Sequence, residues 1–282
     1  MDTQKSKIFG ATKPKTAPSR KKKQGFVGYD ILGNIAILKF GDAVKISEKK
    51  KFAEKLLKKQ KNVRTVLEKT DRFKGRLRTL TTKHLAGEKT KEVLYKENDC
   101  LFRFNVDSCY FSSRLSSERK EVAEKIKKRD EVLVMFGGVA PFAIVIGKMK
   151  KPKKVVSIEL GRECSKYAKM NVERNKLEKI VEVVQGNVRK KLPVMKEKFS
   201  KIIMARPNLK DSFLDVAFPL VKKKGMIYYY GFYHEDDVEK LKELIISEAK
   251  KAKKKIKILG IKKTGDIAPY KYRYRADIKV FS

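Results

Sequence analysis

The pattern of apolar and polar positions changes rhythm near residue 112. Before that point, short alternating runs are separated by basic loops. Tyr29 to Phe40 is rich in β-forming residues around a Gly33-Asn34 turn, which predicts a hairpin. Residues 47–60 read as a basic helix, and Val63–Leu67 and Arg76–Leu80 as short strands. Leu101, Arg103 and Asn105 alternate with Phe102, Phe104 and Val106, the signature of a half-buried strand. Residues 26–112 are therefore expected to form an α+β module.

From residue 113 the periods lengthen. A helix is expected from about Ser116 to Lys128, then an apolar strand Glu131–Phe136, the turn Gly137-Gly138-Val139-Ala140-Pro141 and another helix. Strand Lys154–Leu160, helix 162–175 and strands Val181–Val184 and Lys201–Met204 follow, the last running on to Pro207. Helix 211–223, strand Met226–Tyr230, helix 236–253 and strand 256–261 complete the alternation. Such β–α alternation predicts a parallel sheet with helices on both faces, an α/β domain over 113–282. Tyr272 to Phe281 alternates and is expected to close the sheet as an antiparallel edge strand.

Charge changes the picture more than length does. The 282 residues carry 71 Lys+Arg against 33 Asp+Glu, a formal net charge of +38. A cation this strong points to a polyanionic partner, above all nucleic acid. Lysine enrichment of thermophilic proteins is the alternative source of such a charge. An anionic membrane surface fits less well, because no basic helix has a clean apolar face. Residues 1–25, with the run Arg20-Lys21-Lys22-Lys23, read as a disordered basic tail that either holds RNA phosphates or only aids solubility.

With 41% hydrophobic residues the chain can build a core, and no stretch approaches the ~18 apolar residues of a membrane-spanning helix. Cys100, Cys109 and Cys164 form no CxxC pair, and with only His84 and His234 a metal site is not expected. A reducing, cytoplasmic location is expected, with a Cys100–Cys109 bridge between neighbouring strands as the exception.

In an open parallel sheet, ligands bind beyond the carboxyl ends of the strands. The Phe136–Pro141 loop, Glu159, Gly186-Asn187-Val188 and Ala205-Arg206-Pro207 all fall at such ends. A Gly-rich turn followed about twenty residues later by an acid suits a dinucleotide or S-adenosylmethionine; a tight strand–helix turn is the plainer alternative. Neither GxGxxG nor GxxxxGK[ST] occurs, which disfavours NAD and ATP. Glu159 is placed to accept from ribose hydroxyls and Asn187 to meet an adenine edge.

Several short motifs in one order are more specific. Asp30–Leu38, Asn62–Leu67, Arg78-Thr79 with Leu85-Ala86-Gly87-Glu88, Tyr110–Arg119 (against "FSPRLSTER"), Met135–Phe142 (against "MFAGVGPF") and Ala268-Pro269 with Tyr272 together resemble the archaeal and eukaryotic tRNA (guanine37-N1)-methyltransferase family. The resemblance covers about residues 28–282. It implies a class I, Rossmann-like methyltransferase domain preceded by a tRNA-binding domain, S-adenosylmethionine as cofactor, the tRNA anticodon stem-loop as partner and a monomeric state.

By resemblance, Glu118 removes the proton from guanine N1 and Arg78 stabilises the charge that develops on O6. Without the family, Glu118 reads as a helix-surface carboxylate and Arg78 as one more basic residue. The resemblance assigns Arg119, Glu159 with Leu160, Asn187 with Val188, and Ala205 with Pro207 to the cofactor, beside Phe136, Gly138, Val139 and Pro141 of the loop. Arg114 is expected to order the linker between the domains or touch phosphate, with a structural salt bridge as its alternative.

The chain departs from the family pattern around the cofactor. Val134 replaces an acid, Ala140 the second glycine of "GVG", Asn187 an acid, Ala205-Arg206-Pro207 the "NLP" turn and Ser113 the proline of "SPR". The family's small N-terminal domain is expected to have no counterpart here. These departures keep open methylation of a wyosine-type carbon at the same position, or a tRNA-binding protein with weakened chemistry.

Overall fold

In the computed structural model, the described residues are 26–71, 75, 77–205 and 211–282. The expected tail with Arg20–Lys23, and the Arg206-Pro207 pair, lie outside them.

Strands β1 (Phe26–Leu32) and β2 (Ile35–Phe40) form the expected antiparallel hairpin. Gly33 sits at φ +54°, where a Cβ would come within 1.8 Å of the Leu94 carbonyl oxygen, so this turn requires glycine twice over. Helix α1 (Ile46–Lys59) crosses to β3 (Thr65–Lys69), parallel to β2, and β4 (Thr82–Gly87) completes a sheet of order β1-β2-β3-β4. Ala53 and Leu56 of α1 pack on Ala36, Leu38, Val66 and Leu85. The strand expected over Arg76–Leu80 does not form. Leu77 and Arg78 lie in a turn, and Arg78 adopts φ +54°, which cannot continue a pleated strand.

A separate hairpin follows, β5 (Glu92–Glu97) and β6 (Cys100–Asn105). Along β6 the expected alternation holds, with Phe102 and Phe104 buried and Leu101 exposed. Next come α2 (Ser116–Glu124), β7 (Glu131–Met135), α3 (Pro141–Lys150), β8 (Lys154–Glu159), α4 (Arg162–Arg174) and β9 (Val181–Gln185). The chain continues through α5 (Val188–Lys191), β10 (Phe199–Met204), α6 (Leu214–Ala217), β11 (Val221–His234), α7 (Val238–Lys251), β12 (Ile256–Ala268) and β13 (Lys271–Val280).

These strands make one seven-stranded sheet of order β12-β13-β11-β10-β7-β8-β9. Strands β7 to β11 run parallel, and β13 runs antiparallel to both its neighbours. Two expectations need correction. β13 is not the edge: it inserts between β11 and β12, and β12 takes the outer place. The helix expected over 211–223 shrinks to the single turn of α6 and a 3₁₀ turn Phe218–Leu220. Pro219 cannot continue an α-helical hydrogen-bond ladder, and β11 already starts at Val221. Helix α2 also stops short of Lys128, where the Asp130 carboxylate accepts from the Lys127 N–H at 2.8 Å and fixes a turn.

The β5–β6 hairpin docks on the helices of the large sheet. Asn171 Oδ1 accepts from the Arg103 N–H at 2.7 Å and its Nδ2 donates to the Arg103 carbonyl at 3.1 Å. Asn175 repeats the pattern one helical turn on, with the N–H and carbonyl of Leu101 at 2.9 and 2.7 Å. One side chain of α4 and one at its C-cap thus satisfy a strand edge as a neighbouring strand would. Val93, Phe102 and Phe104 share one core with Val122, Val132 and Ile144. Cys100, Cys109 and Cys164 are buried free thiols, and Cys109 lies beside Cys164 rather than bridging to Cys100. Among the described residues no helix is long and apolar enough to cross a membrane.

Candidate active site

Strand order reverses at β7, and a pocket opens at the carboxyl ends of β7 to β10, where such a reversal leaves a crevice. The loop after β7 is strained on one side of it. Phe136, Gly138 and Ala140 all have left-handed φ, at +62°, +56° and +65°. Ala140 therefore stands as an L-residue in the conformation that suits the glycine of the family motif. A Cβ on Gly137 would meet Ser157 Oγ at 2.2 Å, so the backbone packs there without room for a side chain.

Glu159, at the end of β8, is the hinge of this wall. Its Oε2 accepts from the Gly138 N–H at 2.8 Å and its Oε1 from the Gly161 N–H at 2.7 Å. Both oxygens keep a lone pair for a ligand hydroxyl. The Glu159 carbonyl accepts from the Gly186 N–H at 2.7 Å, which ties the end of β9 to it. Asn187 caps α5, its Oδ1 accepting from the Arg189 N–H at 3.0 Å, and no described residue pairs with its Nδ2. Phe136, Gly138, Pro141, Leu160, Val188 and Ala205 complete this side of the wall. Val139 does not: its side chain is fully buried in the core.

The opposite wall comes from the linker and the N-terminal module. The Arg78 guanidinium stacks 3.6 Å from the centre of the Tyr110 ring. Arg273 of β13 hydrogen-bonds Tyr110 from another side, and burial lowers its pKa. Arg119 reaches the wall but is 1% exposed, and it is committed to a bidentate pair with Glu97 at 2.5 Å and to the Ser112 carbonyl at 3.0 Å. Arg114 lies outside this pocket and pairs with Asp30 of β1 at 3.1 Å, both side chains exposed.

Glu118 is not on the pocket wall. It is buried one layer behind, where Oε1 accepts from Tyr230 Oη at 2.5 Å and Arg275 Nη1 at 2.6 Å. Tyr230, unlike Glu118, does line the pocket. Burial and the Glu118 carboxylate push its pKa well above the ordinary value, so it is a phenol that donates. Arg275 also binds Glu121 at 2.8 Å and Asp277 at 2.6 Å. Burial works against its charge, but these three carboxylates outweigh it and raise its pKa. Sequence reasoning missed Tyr110, Tyr230, Arg273 and Arg275. The one available signal was the placing of two arginines two residues apart on an alternating strand.

The residues present fit S-adenosylmethionine: a glycine cradle without Cβ atoms, an acid with free lone pairs, a spare amide and apolar walls. The pattern described as TRM5/TYW2 methyltransferase domain matches residues 93–259, and that described as TYW2 N-terminal domain matches residues 14–90. The chain belongs to the TRM5/TYW2 methyltransferase family. It is 32% identical to tRNA (guanine(37)-N(1))-methyltransferase Trm5b of Pyrococcus abyssi over 89% of this chain and 74% of that one. The crystal structure of that Trm5b superposes with a TM-score of 0.81, covering 90% of this chain and 75% of the other at 31% identity. Another relative, 32% identical, is the tRNA (guanine(37)-N(1))/4-demethylwyosine(37)-methyltransferase Taw22 of Nanoarchaeum equitans, matched over 89% of this chain and 99% of its own. A structure of aTrm5 in complex with tRNALeu superposes with a TM-score of 0.77 at 30% identity, over 90% of this chain and 72% of that one.

Proposed function

We propose that this protein transfers a methyl group from S-adenosylmethionine to N1 of guanosine 37 in a tRNA anticodon loop. The observation that carries the reading is the meeting, in one pocket, of the Glu159 cradle with the Arg78–Tyr110–Arg273 cluster. One side suits an adenosine with two ribose hydroxyls. The other offers cations and an aromatic face to a base taken out of its stack.

S-adenosylmethionine, when bound, supplies an electrophilic methyl group. Glu159 would hold its ribose and Asn187 its adenine edge, between Phe136, Leu160 and Val188. Guanine N1 carries a proton at neutral pH and attacks only once that proton has left. Arg78 and Arg273, which line the same pocket, would stabilise the negative charge that then develops on O6. Glu118 is the proton acceptor that the family implies, and its position behind Tyr230 gives the route. The Tyr230 oxygen takes the N1 proton while its own proton passes to Glu118 Oε1. Arg275 Nη1, donating to the same oxygen at 2.6 Å, fixes that carboxylate in place beside Tyr230.

A second reading is methylation of a carbon of 4-demethylwyosine at the same position, and the Taw22 relative favours it. Two tRNA transcripts, with guanosine or adenosine at position 37, test the first reading, and a tRNA already carrying 4-demethylwyosine separates the second from a dead binding protein. Label from the methyl donor should enter only the guanosine transcript. No label in either would overturn the proposal for an unmodified guanosine.

A further inference from the structure

The end of the large sheet away from the pocket carries a row of lysines that the pocket chemistry does not use. Lys127, Lys128 and Arg129 lead into β7. Lys223 and Lys224 sit at the start of β11, and Lys253, Lys254, Lys255 and Lys257 at the start of β12. None of these has a carboxylate partner among the described residues. Beside this row other lysines are paired: Lys153 and Lys154 at the start of β8 with Glu131, Glu182 and Glu197, and Lys222 of β11, next to Lys223, with Glu131.

Contacts join these lysines into one surface. Lys257 and Lys279 are direct cross-strand partners on β12 and β13. Lys279 Nζ donates to the Lys224 carbonyl. Lys201 of β10 is half-buried; burial lowers its pKa, and Lys279, Lys127 and Lys125 lower it further against Asp130. Like charges placed opposite each other on strands are destabilising, so the fold holds this arrangement at a cost. From β12 to β7 the row crosses four strand spacings, about 19 Å. Strands of five to six residues hold it roughly 17–20 Å from the pocket end.

We propose that this end of the sheet is a second RNA-contact surface, which grips backbone phosphates away from the nucleotide that enters the pocket. It rests on the reading that the substrate is RNA. Unpaired lysines on several loops, without a base-reading groove, suit phosphates irrespective of sequence. The row lies at the opposite end of the strands from the pocket, so an RNA that touches both must run past the end of the sheet, which the body of a full-length tRNA beyond its anticodon stem-loop can do.

The test is a variant with Lys223, Lys253, Lys255 and Lys257 each changed to Gln, all exposed positions. A control removes the same charge from α4 and its end, with Lys166, Lys169, Lys176 and Lys179 changed to Gln. Fluorescence anisotropy with a full-length tRNA transcript, over a range of salt, should show the first variant binding at least ~10-fold more weakly at physiological salt, its salt slope smaller by about 2 to 4. Methylation of an anticodon stem-loop oligonucleotide should be unchanged. The control should stay within about threefold of wild type.

Equal losses in both variants, or none in either, would overturn the surface. So would unchanged tRNA binding with lost binding to phosphatidylserine vesicles, which would assign the row to a membrane. Wild-type protein that methylates tRNA while the variant is unaffected overturns this surface alone. Wild-type protein that neither binds nor methylates tRNA overturns the functional reading as well.

Discussion

The Tyr230 hydroxyl donates to the Glu118 carboxylate across 2.5 Å, and of the two only Tyr230 reaches the pocket. If the proton of the target base travels through this contact, Tyr230→Phe should slow single-turnover methyl transfer by about 10²-fold or more. S-adenosylmethionine affinity, measured by calorimetry, should be unchanged. A Tyr230→Phe enzyme with the wild-type rate would show that Glu118 acts without it.

Glu159 accepts two backbone N–H bonds and holds the cradle together. Glu159→Gln turns one acceptor into a donor that must face Gly138 or Gly161, at about 1–3 kcal/mol for an unmet buried group. Calorimetric titration should show S-adenosylmethionine binding at least ~10-fold more weakly. Equal affinity would remove Glu159 from the cofactor site.

The fold is legible in the sequence where the signal is local. The Gly33-Asn34 turn, the β6 alternation and the glycine loop with an acid some twenty residues on can all be read from neighbours in the chain. The proton route is not local. Tyr230 and Arg275 are cross-strand partners on β11 and β13, and both converge on Glu118 of α2. Nothing in a single sequence gives that register, and Arg273 and Arg275 look like any other two of 71 basic residues. Placing β13 at the sheet edge failed for the same reason, because alternation reports faces and not neighbours.

The docking of the β5–β6 hairpin gives a stability prediction. Asn171→Ala leaves the Arg103 N–H and carbonyl without their partner, and should destabilise the protein by about 1–3 kcal/mol. Urea unfolding would measure it, and the loss should exceed that of Asn187→Ala, whose side chain satisfies only a cap.

Glu121 gives a pH dependence. Hydrogen bonds from Lys262 and Arg275 hold its pKa down at about 2, against an ordinary 4.5. A depressed acid stabilises the fold above its unfolded pKa, and that contribution is lost as pH falls from about 4.5 towards 2. Because the side chain is partly solvated, the effect should be roughly 1–2 kcal/mol. Glu121→Gln should therefore lower the urea midpoint at pH 6 and flatten its decline below pH 4.5.

The most direct measurement is mass spectrometry of the nucleoside at position 37 after a full-length tRNA transcript is incubated with the protein and S-adenosylmethionine. The account predicts 1-methylguanosine there and no other change. A methyl group found only on a carbon of a supplied 4-demethylwyosine tRNA, a larger group transferred from the cofactor, or methylation elsewhere in the RNA would contradict it.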